Sequence, residues 1–194
     1  MKSLWFSPSR TQNRRRAIED GEVPSPDATY APDVPHPFEG HEADLPTQRR
    51  RLMTLAVAQA TQALDHGDVP VGALVVVDGE IVAARHNERE LTGDPTAHAE
   101  VLALRDAAAE VGDRRLRGAT LVVTLEPCPM CAGAIWAAQV GTVVYGAPDP
   151  KAGAMGSLYN LAADPSLNHT TKVIAGVEAH QSADLLRAFF AERR

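Results

Sequence analysis

Apolar positions change their period along the chain, and each change marks an element. Leu52, Leu55, Ala56, Ala60, Ala63 and Leu64 recur at helical spacing between Pro46 and Gly67, which predicts an amphipathic first helix. The runs VGALVVV (71–77) and IVAAR (81–85) flank Asp78 and Gly79. That pair suits the two central positions of a type I′ turn, where both φ are positive, so a β-hairpin follows. After the loop HNERELTG, Asp94 reads as the cap and Pro95 as the first residue of a helix running to Gly112. LVVTL (121–125), TVVYG (142–146) and KVIAG (172–176) predict three more strands. Apolar helices are predicted from the Cys128–Cys131 segment through Ile135 and Trp136, and over the C-terminal run SADLLRAFFAERR with Leu185, Leu186 and Phe189 inward. Strands alternating with helices imply an α/β layered sheet whose later strands are parallel, because helices cross over between them.

The first 46 residues break this pattern. They hold seven of the fourteen prolines and few aliphatic residues, with no period of 2 or 3.6. Such a segment cannot bury enough apolar surface to offset its ordering entropy, so residues 1–46 are expected to be a disordered extension and 47–194 a single domain. A docking arm using Trp5, Phe6 and Phe38 is the alternative for that extension. Overall composition is that of a globular protein, with 44% hydrophobic and 23% charged residues in 194. No apolar run approaches the 18 to 20 residues of a membrane span, and no apolar stretch follows the N-terminal arginines as a signal would require, so a cytoplasmic protein is expected. The net charge of −6 divides evenly, −3 on either side of residue 46, so any nucleic-acid contact must be local.

The chemistry is concentrated in two short motifs. His98-Ala99-Glu100 is followed after twenty-six residues by Pro127-Cys128-Pro129-Met130-Cys131, which contains both cysteines of the chain. Imidazole nitrogen and thiolate are the donors Zn²⁺ prefers, and three protein ligands leave a fourth tetrahedral position open for water, the arrangement of a catalytic site. Cys128 and Cys131, three apart, share one face in the first turn of a helix, where unpaired N–H groups favour thiolates. Glu100 is then the acid placed to move protons without being a ligand. A Cys-x-x-Cys pair alone also fits a redox pair or half of a structural zinc site. The redox reading leaves His98 and Glu100 unexplained, and a closed structural site lacks its fourth ligand. His36, His41, His66, His86, His169 and His180 have no paired ligand nearby in the sequence and read as surface or capping residues.

DPTAHAEVLAL together with TLEPCPMCAGAIWAAQVGTVVYGAPD resembles the zinc-dependent nucleobase deaminases, and more narrowly the bacterial tRNA-specific adenosine deaminases. The resemblance runs from about residue 47 to the end of the chain. It implies a three-layer α/β/α fold of the cytidine-deaminase type with a five-stranded mixed sheet, one Zn²⁺ per subunit held by His98, Cys128 and Cys131, and Glu100 as proton carrier. The implied reaction is hydrolytic deamination of adenosine to inosine at the wobble position of a tRNA anticodon, with the target base extruded into a pocket. It further implies that Asn87 binds the flipped nucleoside, that Asp149 touches its neighbour in the anticodon loop, and that the protein is a homodimer, with the helix containing Ile135 and Trp136 as interface.

Free-cytidine deaminases carry Cys where His98 stands, whereas guanine and free-cytosine deaminases share both motifs and are the rival reading; a zinc module that only binds RNA is the third. Pro148 stands where relatives often have a basic residue, which removes one phosphate contact. Lys151 and the cluster Arg114, Arg115 and Arg117 are candidate backbone contacts, although the arginines also suit a solvated turn. Asn87 and Asp149 have alternative readings as a loop cap and an Asx turn. Glu126 reads as support for a ligand or as a helix-entry carboxylate.

Overall fold

The central strands are apolar at consecutive positions, so both faces of their sheet must be covered. The computed structural model, which describes residues 45–193, meets that requirement with helices on either side. Strands β1 (Gly72–Val77), β2 (Glu80–His86), β3 (Thr120–Leu125), β4 (Thr142–Ala147) and β5 (Lys172–Ile174) form one sheet in the order β2-β1-β3-β4-β5. The β1/β2 and β1/β3 pairs are antiparallel, whereas β3/β4 and β4/β5 are parallel. This is the five-stranded mixed sheet expected. Asp78 and Gly79 have φ of 50° and 79°, the two positive values that the hairpin turn demands.

The helices are α1 (Leu45–Thr61), α2 (Arg89–Thr92), α3 (Ala99–Val111), α4 (Pro129–Ala137) and α5 (Ala179–Ala191). Successive strand residues point to opposite faces. Ala73, Val75, Leu121, Val123 and Val143 pack with Ala103, Leu104, Ala107 and Ile135 of α3 and α4. Leu74, Val76, Val122 and Val144 pack with Leu52, Met53 and Ala56 of α1. On that second face a Cβ on Gly146 would run into Ser182 of α5, and one on Gly72 would run into the Ala56 carbonyl and lie 2.5 Å from the Ala60 nitrogen. On that face the helices therefore approach the sheet closely where two strands carry no side chain.

The structure departs from the sequence reading at several points. Helix α1 begins at Leu45, two residues inside the stretch read as extension; the rest of that stretch, with Trp5, Phe6 and Phe38, lies outside the described residues. Leu64 is 43% exposed, because the chain tightens to a 3₁₀ turn at Gln62–His66 and the 120° step carries it off the apolar stripe. The loop after β2 contains α2, and α3 starts at Ala99 rather than Pro95. Asp94 is committed to an Asx turn, accepting the Thr96 N–H and hydroxyl at 2.7 Å each, and His98 stays extended. Ile135, read as part of an interface, is fully buried in the core.

Helix α2 is only four residues long and owes its place to a distant carboxylate. Buried Asp68 accepts the N–H groups of Glu90 at 3.0 Å and Leu91 at 3.2 Å, and His66 Nδ1 lies 2.8 Å from its Oδ2. Burial pushes the Asp68 carboxyl up, but the two N–H groups and His66 outweigh it and leave it below the ordinary value.

Two outcomes are expected. Gly72→Ala forces α1 away from the sheet and lowers stability by about 1–3 kcal/mol, several degrees in Tm by calorimetry. Asp68→Asn lowers stability by about 1–3 kcal/mol at neutral pH. Because the folded-state pKa of Asp68 is depressed, the stability it contributes is fully present above its unfolded value and is lost as pH falls through the folded one. The difference in denaturant midpoint between the two proteins should thus stay constant down to about pH 4 and shrink below it.

Candidate active site

Two helices begin at the same edge of the sheet, beyond the C-terminal ends of β2 and β3, and each contributes donors from its first turn. His98 is the N-cap of α3, with extended φ −75° and ψ 147°. Its side chain is thereby freed from the helical spacing that would have turned it away from Glu100. Cys128 is the N-cap of α4, with Pro129 at the first helical position and Cys131 one turn on. Among the described residues this is the one group of three His, Cys, Asp or Glu side chains able to share a metal ion.

Their geometry fits zinc. His98 Nδ1 lies 3.8 Å from Cys128 Sγ and 3.5 Å from Cys131 Sγ, and the two sulfurs are 3.6 Å apart. A tetrahedral ion with Zn–S of about 2.3 Å and Zn–N of about 2.0–2.1 Å requires edges of about 3.5–3.8 Å. The donor triangle has that size before any ion is considered. Its chemistry agrees: the hydrogen bond from Cys131, with His98 beside it, holds the Cys128 thiol down to about 4. The same contact with Cys128, with burial, pushes the Cys131 thiol up, and the Cys128 partnership raises His98. Two helix N-termini supply further positive potential to these sulfurs.

Glu100 stands beside the triangle at the second position of α3 and is 3% exposed. Its Oε2 has no hydrogen-bond partner. Burial pushes its carboxyl up, against the favourable pull of its own backbone N–H and of His98. A buried carboxyl oxygen without a partner, next to a donor set open on one side, is suited to exchanging protons with whatever occupies the open side.

Asn87 is 5% exposed and is tied to the scaffold: its Oδ1 accepts the Ala99 N–H at 2.9 Å, and its Nδ2 donates to the Val69 carbonyl at 3.0 Å. It therefore fixes the start of α3, and with it His98 and Glu100. Asp149, at the end of β4 on the same edge, accepts the N–H groups of Lys151 at 2.9 Å and Ala152 at 3.2 Å. Both residues make the capping bonds that their residue types favour. Arg114, Arg115 and Arg117 precede β3 and so lie at the opposite end of the sheet, where Arg117 Nε donates to Gln139 Oε1 at 2.7 Å. Lys151 remains on the site's side. His66, His86 and His169 bond to Asp68, Gln59 and the Val140 carbonyl respectively, away from the donor triangle.

Sequence reasoning missed Asp68 altogether and left Glu126 open. Both are buried carboxylates whose backbone N–H partners lie 22 to 31 residues away. The available signal was weak: Asp68 stands just after a Gly and Glu126 just before a Pro, positions that read equally well as ordinary turn or helix-entry acids.

The family of the cytidine and deoxycytidylate deaminase zinc-binding region matches the chain over residues 46–147. A tRNA-specific adenosine deaminase of Bacillus subtilis is 47% identical over 148 residues, covering 76% of this chain and 92% of that protein. A solved structure from biochemical and structural studies of A-to-I editing by tRNA:A34 deaminases at the wobble position of transfer RNA is 41% identical, with a TM-score of 0.68 over 70% of this chain and 99% of that one. NE0047, solved in complex with 2,6-diaminopurine, is 26% identical with a TM-score of 0.65 over 74% of this chain and 82% of that one. With the donor triangle, the adjacent buried acid and the mixed sheet already in place, these likenesses mean that the chain belongs to the zinc-dependent cytidine and deoxycytidylate deaminase family, and within it to the tRNA-specific adenosine deaminases.

Proposed function

We propose that the protein deaminates adenosine to inosine at the wobble position of a tRNA anticodon, by adding water to C6 of the base and releasing ammonia. The observation that carries the chemistry is the unpartnered, buried Oε2 of Glu100 beside the donor triangle. The substrate comes from the likeness to the B. subtilis enzyme and the tRNA:A34 deaminase.

His98, Cys128 and Cys131 would hold the ion, and zinc so bound supplies a Lewis acid that brings the pKa of water to about 7. The chain's own residues perform the proton work. Glu100 takes one proton from the water as its oxygen bonds to C6, and delivers it to N1 of the ring. It then passes the remaining proton to the exocyclic nitrogen as the C–N bond breaks, so that water and adenosine become inosine and ammonia with every atom accounted for. Asn87 keeps α3 in register through Ala99, and its second amide hydrogen is left to meet the extruded nucleoside. Asp149 and Lys151 stand on the loop that would receive the neighbouring nucleotide, in keeping with single-stranded RNA being read from splayed bases.

The same reading takes the deaminase domain to run from the start of α1 at Leu45, the residues before it as an appendage, and the cytoplasm as the site of action. No helix among the described residues is long and apolar enough to cross a membrane. It also takes the working form as a homodimer. Trp136 of α4 keeps part of its ring exposed, and that partly exposed apolar surface is what supports a partner there. Ile135 cannot take part.

Three measurements test this. Incubated with an anticodon stem-loop, the protein should yield inosine by nucleoside mass spectrometry, with no ammonia from guanine, cytosine or adenine; ammonia from a free base alone would establish the rival instead. Glu100→Gln should cut kcat by about 10²–10⁴-fold with zinc content unchanged. Cys131→Ala should lose the metal by elemental analysis, and turnover with it.

A further inference from the structure

Glu126 lies two residues before the first cysteine donor and is 2% exposed. It forms no ion pair among the described residues; what balances its carboxylate is a set of donors from one loop. Oε2 accepts the Asp149 N–H at 3.0 Å and the Ser157 hydroxyl, and Oε1 accepts the N–H groups of Met155 at 3.1 Å and Ser157 at 3.0 Å. The loop closes around that carboxylate. Gly153 N–H donates to the Asp149 carbonyl at 2.8 Å, and a Cβ on Gly153 would lie 2.5 Å from Glu126 Oε2. The backbone on either side of Glu126 continues the connection: its own N–H donates to the Ala147 carbonyl at 2.9 Å, and the Pro127 carbonyl accepts the Ala154 N–H at 2.9 Å.

All four side-chain hydrogen bonds of Glu126 therefore go to the segment 149–157, and none to the helices or to the sheet. Three successive residues, Glu126, Pro127 and Cys128, hold that loop on one side and a metal donor on the other. Asp149 and Lys151 are consequently set against the donor triangle by one buried carboxylate together with the backbone beside it.

We propose that Glu126 is a positioning residue for the RNA: through the 149–157 loop it determines where Asp149 and Lys151 meet the nucleotide beside the target, without touching substrate or metal. This rests on the reading of the chain as a tRNA deaminase. The consequence is a separation of effects, since the loop governs binding while Glu100 and the donor triangle govern chemistry.

Glu126→Gln keeps the shape of the side chain but replaces one acceptor oxygen with an NH₂ that must face N–H or O–H donors in either orientation. The KM for an anticodon stem-loop should rise about tenfold or more, as loss of a hydrogen bond to a charged group implies. Meanwhile kcat should stay within about twofold and zinc per chain should be unchanged. Ser157→Ala, which removes only the hydroxyl, should raise KM in the same direction by less. An unchanged KM in folded, zinc-loaded Glu126→Gln protein overturns the proposal, and so does a fall in kcat and zinc content with KM unaltered. If Glu126→Gln does not fold, the Ser157→Ala protein decides, an unchanged KM being the adverse result. Stem-loop Kd is measured for all three proteins. Absence of turnover by the unaltered protein would thus refute the functional reading, while the Kd comparison still judges Glu126.

Discussion

A nitrogen and two sulfurs, none more than 3.8 Å from another, set the size of a tetrahedral zinc site, and the architecture around them is what keeps them there. The constraint is that two helices must start at one edge of the sheet. The strand that precedes α4 delivers Cys128 as its N-cap, while an Asx turn and an extended residue deliver His98 as the N-cap of α3. Caps have non-helical backbone, so their side chains can turn back across the helix start. The positive ends of two helices then act on the same three donors, which favours the anionic form of the sulfurs. Glu100, in the first turn of α3, shares that potential and is buried enough to interact strongly with whatever proton donor or acceptor approaches.

Around this centre the rim is held by buried carboxylates. Asp68 gathers the N–H groups of α2, and Glu126 gathers those of the 149–157 loop. In each case a short irregular segment, too small to be stable alone, has its unsatisfied backbone donors met by a charged acceptor fixed in the scaffold. Asn87 works in the same way between Val69 and Ala99. The chemical centre is therefore built on helix starts and bordered by loops whose positions depend on a few polar side chains, a division suited to an enzyme that must admit a large substrate and still align one small base.

What the sequence made legible is local. The hairpin at Asp78 and Gly79, the apolar strand runs, the stripe of α1 up to Ala60 and the two donor motifs were all readable, because period, turn chemistry and ligand type are properties of neighbouring residues. Less legible was the start of α3. Asp94 and Pro95 have the composition of a helix start, yet the carboxylate satisfies Thr96 instead, and the first helical N–H is capped by Asn87 from twelve residues away. Trp136 and Ile135 looked equivalent as apolar neighbours on one helix, but they point to different sides of it, and only packing against β1, β3 and β4 showed which was inward.

By itself, then, the sequence determined which donors are present, their spacing, and the alternation of strands and helices that brings them to one edge. The tertiary structure decided that His98 is a cap rather than a helical residue, that the arginine cluster belongs to the far end of the sheet, and that Asp68 and Glu126 hold the rim. The physical reason is range. Periodicity and capping act over a few residues, whereas a buried carboxylate takes whichever backbone N–H groups the fold brings within 3.2 Å, and nothing in the residues between them records that meeting.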